Sequence, residues 1–442
     1  MTADNSAIRD PDALPDDGGT HVVAPRYLTQ DVPGIWGSIK QYPEDFLVDE
    51  IPLYQPCGEG EHIYICAEKR GMSTVEMIGV LARHFRVNRR QIGHAGLKDK
   101  HAITRQIVSI HAPGKSPDDF PLLEHPQVRI RWADLHTNKL KRGHLTGNRF
   151  SIRVRGVEPQ RVREAQRSLA ILEQTGVPNR IGIQRFGYLR NNHAVGRAII
   201  LGDAEGALGL VLGPNERSPG AQATSRELYA AGDYRAAYEA WPKGYRAERQ
   251  ALHALAAGAS HEEALREIDP TAASFFISSF QSAVFNAVLN KRVEAGTLNE
   301  LLPGDVGFVH KSRATFVVDA ADAASEETRG RVERFELSPS GPMWGAEMQR
   351  GTGDTDRVEL GELSRIGVTP ADLDRASALS LEMLEGARRP MRIPVANVDV
   401  EGGVDEHGNY VRCAFELPRG SFATTVMDEI MKINPLEAQQ GG

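Results

Sequence analysis

A chain of 442 residues exceeds what one hydrophobic core ordinarily organises, which predicts two domains. Its 40% hydrophobic and 25% charged residues are those of a globular protein, and no apolar run approaches the roughly 18 residues of a membrane span, so no membrane partner is expected. The net charge of −7 argues against a nucleic-acid binder only until its distribution is read: thirteen Lys and Arg stand against three acids between Lys139 and Ile200, and Arg83, Arg86, Arg89 and Arg90 form a second basic group. Such local concentration points to a phosphate backbone as partner.

In chain order, residues 1–30 predict a disordered tail; Met1 to Thr20 is rich in Asp, Pro and Gly and lacks the apolar stretch of a signal peptide. Cys57, Cys66 and Cys413 form no CxxC pair, which predicts neither zinc site nor disulfide framework and places the protein in the cytoplasm. Gly37 to Ile51 reads as a turn at Tyr42–Asp45 leading into a strand through Phe46 and Val48, and His62 to Cys66 as another strand. Ser73 with Glu76 is a capping box opening a helix whose apolar face is Val75, Ile78, Gly79, Ala82 and Phe85.

That helix delivers the chain to Gly93-His94-Ala95-Gly96-Leu97-Lys98-Asp99-Lys100-His101, a loop that feeds a strand from Ile103 to Ile110. One carboxylate, Asp99, sits in sequence among Lys98, Lys100, His101 and Arg105. Taken as a ring of cations, these would keep it ionised in a positive field, as a nucleophile acting on a polyanion requires. An ordinary surface ion-pair cluster is the competing reading. His94, His101 and His144 have no metal-ligand spacing and no nucleophile partner, so no metal is expected.

Gln127 to Leu135 and Asn148 to Val157 predict further strands. In the second, Phe150, Ile152 and Val154 alternate with Arg149, Arg153 and Arg155, giving an apolar face and a basic face that could meet RNA. Asn148 opens this strand, where its amide could cap a turn or read a base edge. Arg161 to Gln174 predicts a helix stopped by Gly176 and Pro178. No GxGxxG or GxxxxGK[ST] string stands at a strand–helix junction, so an antiparallel or mixed α+β sheet is favoured over a parallel nucleotide-binding fold.

From 200 to 265 the chain is rich in Ala and Glu with helical periodicity, and Phe275 to Val293 is a strong helix in which Gln281, Ser282 and Asn286 read as packing hydrogen bonders. A β-like part follows from Leu302 to Gly345, and Leu381 to Ala387 predicts a helix. Tyr410 to Leu417 alternates as a strand, and Phe422 to Ile433 predicts a final helix. Sheet signatures at both ends around a helix-rich middle predict one discontinuous domain interrupted by another.

Ala95-Gly96-Leu97-Lys98-Asp99-Lys100 with Thr104-Arg105-Gln106, and Lys40 followed by Glu44-Asp45-Phe46-Leu47-Val48, resemble the TruD family of pseudouridine synthases, enzymes of uridine 13 in transfer RNA. So do Gly147-Asn148-Arg149-Phe150, Gln184-Arg185-Phe186-Gly187, Gln281-Ser282 with Phe285-Asn286, Gly341-Pro342-Met343-Trp344-Gly345, and Glu416-Leu417-Pro418 with Gly420-Ser421-Phe422-Ala423-Thr424. The strings stand in the family's order from about residue 35 to residue 430.

The resemblance implies an α+β fold: a catalytic domain with a mixed, mainly antiparallel sheet over 31–173 and 397–442, interrupted by an inserted α/β domain over 174–396. It implies cofactor-independent isomerisation of uridine to pseudouridine in tRNA, with Asp99 as nucleophile and Phe46, Asn148 and Phe422 contacting the substrate. Lys40, Lys98, Arg105, Phe150 and Arg185 are expected as supporting RNA contacts, Lys98 and Arg105 by holding phosphate; Phe150 also reads as core from its alternation. The partner is transfer RNA, no protein partner is expected, and a monomer is the default. The alternatives are the same chemistry at another RNA site and a non-catalytic RNA-binding protein on this scaffold.

Overall fold

The structure, a computed structural model, describes residues 24–378 and 384–433. The chain forms two compact units, one of residues 27–179 with 392–433, the other of residues 24–26 with 180–391. The second unit's long segment lies a few residues inside the expected 174–396 at both ends.

The discontinuous unit is built on β1 (Phe46–Pro52), β2 (His62–Arg70), α1 (Thr74–His84), β3 (Ile92–His94), β4 (Ile103–His111), β5 (Val128–His136), β6 (Leu145–Arg155), α2 (Val162–Thr175), β7 (Val177–Pro178), β8 (Arg392–Ile393), β9 (Ala396–Asp405), β10 (Gly408–Pro418) and α3 (Ala423–Met431). One sheet runs β9-β10-β6-β1-β4-β2-β5, with β3 paired to β4. Its β1–β4 pair is parallel and the other neighbours are antiparallel. β7 and β8 pair with Arg392 opposite Pro178, so the chain leaves this unit and re-enters it at one point.

Strand alternation puts Phe46, Val48, Phe150, Ile152, Cys413 and Phe415 on one face, buried against Ala165, Leu169 and Leu172 of α2 and Val426, Met427 and Ile430 of α3. On the same face farther along, Ile63, Ile65, Ala67, Val108 and Ile110 pack under Met77, Ile78 and Leu81 of α1. The Ser73–Glu76 capping box forms with both of its bonds and fixes the start of α1.

Three expectations are corrected here. Residues 1–23 of the expected tail lie outside the described residues, but its end is packed: Thr29 is buried, its Oγ1 donating to the Glu429 carbonyl at 2.8 Å and its amide to Glu429 Oε2 at 3.0 Å. Asn148 lies inside β6 and does not open it, because pairing with β10 continues past it to Gly147 opposite Pro418. A side chain at Gly147 would meet the Leu417 carbonyl at 2.3 Å, so only glycine admits this approach. Residues 381–383 of the expected helix lie outside the described residues, and Ala387–Pro390 is a strand, because it pairs with Leu337–Met343 and buries the Arg388–Glu359 ion pair.

The inserted unit is mainly helical from Asn192 to Glu294 and carries a four-stranded sheet of Ala387–Pro390, Leu337–Met343, Val306–Val309 and Thr315–Val317. Helix Pro270–Glu294 is, contrary to expectation, long and apolar enough to cross a membrane on composition, but 61% of its apolar window is buried in the protein. Its polar residues are packing groups. Gln281 Nε2 donates to the Trp344 carbonyl, and the Asn286 amide bonds both the N–H and the C=O of Ile181.

Candidate active site

The loop between β3 and β4 is tied down almost residue by residue. The Gly143 amide donates to the Ala95 carbonyl at 2.8 Å, and the Lys98 amide donates to Thr74 Oγ1 at 2.9 Å. Thr74 in turn donates to Gln106 Oε1, whose amide nitrogen reaches the Gly96 carbonyl. The loop is therefore bonded to the first turn of α1 and to β4 before its charged groups are considered.

Lys98 points down into the sheet. Its Nζ lies 2.7 Å from Glu50 Oε2, with the two side chains 5% and 1% exposed, and donates to Asn148 Oδ1 at 2.7 Å. The expected phosphate contact by Lys98 is thus overturned: a buried ammonium already held by a carboxylate and an amide is not offered to RNA. Asn148 has its oxygen fixed by this bond, which leaves its Nδ2 as donor.

Asp99 itself is half exposed, with Lys40 Nζ 3.5 Å from its Oδ2. The expected ring of sequence neighbours does not close on it. Lys98 is with Glu50, Lys100 Nζ lies 3.4 Å from Glu76, and Arg105 donates from Nε to Glu68 at 2.8 Å with Asp49 3.5 Å from Nη1. Arg105 is for that reason also corrected from a phosphate contact to a member of an ion-pair row. The cation beside Asp99 comes instead from Lys40, a non-glycine residue in the left-handed region at φ +62°.

Phe46 is 1% exposed, with the Lys40 ammonium 4.3 Å over its ring and Phe150 edge-on to it. The expected direct base contact by Phe46 is corrected on this geometry: the ring is a floor beneath Lys40. Phe150 is buried between Phe46 and Phe415 and is core, as its alternation suggested. Phe422 differs. It precedes the first residue of α3 with extended backbone, and the residue is 65% exposed. The turn carrying it follows Leu417, which pairs with Asn148, and Arg419 donates to the Gly143 carbonyl at 2.6 Å. Arg185 lies in the inserted unit, where it donates to Ser278 Oγ and stacks on Phe275.

The basic face read along β6 is matched by acids from other strands. Arg149 lies on the opposite side of the sheet from Asn148, and at one register Glu416, Arg149, Asp49, Arg105, Glu68 and Arg129 occupy successive strands with alternating sign. Arg149 pairs with Glu416 at 3.1 Å and Arg153 with Asp405 at 3.6 Å. Arg155 is buried between Asp45 and Asp405.

Sequence reasoning missed Glu50 and Lys69. Lys69 is 0% exposed and its Nζ donates to the Asp99 carbonyl at 2.6 Å. Burial pulls its pKa down to about 8, against the opposing pull of the Asp99 charge. The signal for both was a charged residue in the apolar phase of a strand: Glu50 follows Phe46 and Val48 at spacing two, and Lys69 follows Ile63, Ile65 and Ala67.

With this geometry in hand, the relatives are informative. The sequence profile of the family described as tRNA pseudouridine synthase D (TruD) matches residues 23–430. The tRNA pseudouridine synthase D of Geobacter metallireducens is 41% identical over 92% of this chain and 98% of its own. That of Thermus thermophilus is 35% identical over 93% of each chain. A crystal structure of the Methanosarcina mazei protein described as TruD superposes with a TM-score of 0.82 at 28% identity, covering 94% of this chain and 98% of that one.

Proposed function

We propose, from the premise that this chain belongs to the TruD family and isomerises uridine to pseudouridine in tRNA, that Asp99 is the nucleophile and uridine 13 the target. The observation that carries the reading is the half-exposed Asp99 carboxylate, held beside Lys40 on a loop bonded to α1, β2 and β4. The reaction breaks the C1′–N1 bond, turns the uracil and joins C5 to C1′. The C5 proton leaves, N1 gains one, and no electrons are gained or lost. A carboxylate serves such a path by forming an ester at C1′, by adding at C6, or by removing a 2′-proton.

The other side chains take roles that their geometry permits. The target base must leave its stack, and the exposed Phe422 ring is the stacking surface for it. Asn148 offers Nδ2–H to a pyrimidine carbonyl, since Lys98 holds its oxygen. Lys40 lies over Phe46 and against Asp99, where its partly exposed ammonium is placed to meet the RNA backbone beside the target nucleotide. The reading takes the chain as a monomer in the cytoplasm; Cys57, Cys66 and Cys413 are free thiols, which fits a reducing compartment.

The test is carbodiimide mapping of pseudouridine by primer extension on unmodified tRNA, with wild type and Asp99→Asn. The expected result is a stop at uridine 13 that the variant lacks while it still binds tRNA within a few-fold. A stop at another uridine overturns the position, and an active Asp99→Asn overturns the nucleophile. Tight binding without any stop returns the chain to the non-catalytic alternative.

A further inference from the structure

We propose that Lys69 is a positioning residue for the isomerisation, its buried ammonium gripping the main-chain carbonyl of Asp99 and so fixing where the nucleophilic carboxylate points. The proposal rests on the reading of Asp99 as nucleophile. Lys69 lies at the end of β2 and is wholly buried, its Nζ 2.6 Å from the Asp99 oxygen. A cation removed from water is expensive, and a threonine or an asparagine could satisfy a carbonyl at smaller desolvation cost. What a charge adds is attraction to Asp99 as a whole. The same ammonium holds the residue's backbone and sets a positive potential beneath its carboxylate.

The groups that face Lys69 explain how it stays charged. From the loop come Asp99, which favours the ammonium, and Lys98, which opposes it; from α1 comes Glu76, which favours it. β4 and β5 face it at register with Thr104 and Val128, neither of which carries charge. Burial outweighs the favourable pair, and the ammonium is lost near pH 8 in the folded protein against 10.5 for a free lysine. Between those values the unfolded chain binds more protons than the folded one. Folding stability from this group therefore rises with pH across the window in which the grip weakens. A purely structural lysine would not give activity and stability opposite slopes.

The experiment measures single-turnover pseudouridine formation on unmodified tRNA, tRNA affinity and thermal stability from about pH 7 to about pH 9, for wild type and Lys69→Met. The expected variant binds tRNA within about two-fold of wild type but reacts about 10²-fold more slowly, the scale set by a misplaced reacting group. Wild type loses rate as pH passes about 8 without losing stability, and the variant shows no such limb. A variant that reacts at the wild-type rate, or that loses affinity as much as rate, overturns the proposal. If Lys69→Met does not fold, Lys69→Arg decides: a variant that keeps the cation but not the reach of the Lys69 bond to the Asp99 carbonyl and still reacts at the wild-type rate overturns the proposal, and one that binds tRNA but reacts more slowly supports it. Failure of the Asp99 reading looks different, because wild type then gives product and Asp99→Asn gives it as well, and the proposal falls with it.

Discussion

Replacing Lys98 by methionine separates a buried structural cation from an RNA contact. The Lys98 ammonium lies 2.7 Å from Glu50 with both side chains nearly inaccessible, and Glu50 also accepts from the Ile107 amide at 3.1 Å. Removing the ammonium leaves a buried carboxylate with that one N–H. Breaking such a pair from one side costs about 3–5 kcal/mol. Adding Glu50→Gln removes the stranded charge while keeping an acceptor for Ile107, so the double variant should recover all but about 1–2 kcal/mol, the scale of one imperfect neutral hydrogen bond. A coupling of about 2 kcal/mol or more between the two positions follows. Because the chain has two units, a single melting curve mixes them, and the cleaner assay is hydrogen exchange at β1 and β4 under mild urea. The tRNA affinity of Lys98→Met, followed against salt concentration, should keep the wild-type slope, since an ammonium held by Glu50 neutralises no phosphate. The reasoning is refuted if the single and double variants are equally stable, or if the salt slope falls by about one charge in Lys98→Met.

Phe422→Ala should weaken tRNA binding or slow turnover by about 1–3 kcal/mol, the worth of one base–aromatic stack, with no change in melting because the ring is exposed; an unchanged kcat/KM would remove Phe422 from the site. Arg149→Gln and Arg153→Gln should leave the salt dependence of tRNA affinity as it is, since both arginines are matched by Glu416 and Asp405; a shallower slope in either would show that the back of the sheet meets RNA. The Arg155 guanidinium holds the Asp405 carboxyl down at about 2, below its ordinary 3.8, so this contribution to stability is complete above the ordinary value and is lost as pH falls toward 2. Asp405→Asn should accordingly flatten the acid limb of stability against pH, and an unaltered limb would assign acid unfolding to other carboxylates.

The parts of this protein legible in its sequence are those that local order determines. The Ser73–Glu76 cap, the loop feeding β4 and the alternation of Phe150, Ile152 and Val154 are relations among near neighbours in the chain, and they fold as they read. The Asp99 loop was recognisable as a string for the same reason. Its electrostatics were not. Lys98, Lys100 and Arg105 are neighbours of Asp99 in sequence, yet each is engaged by an acid from another element: Glu50 on β1, Glu76 on α1, Glu68 on β2.

The same limit governs the arginines of β6. Counted along the chain they make a basic stripe, but their partners Asp405 and Glu416 lie 250 and 267 residues away from Arg155 and Arg149, beyond the inserted unit. A charge sum over a window is blind to acids that only strand pairing brings into register, so it overstates the field wherever a sheet is closed by a distant strand. What the window could have yielded is the phase of each charge. Arg149 and Arg153 fall in the exposed phase of their strand, where pairing across the sheet is inexpensive. Glu50 and Lys69 fall in the apolar phase, where a charge persists only if specific partners hold it. By that criterion the acid on β1 and the lysine on β2, not the arginine stripe, mark the face of the sheet on which Asp99 is held.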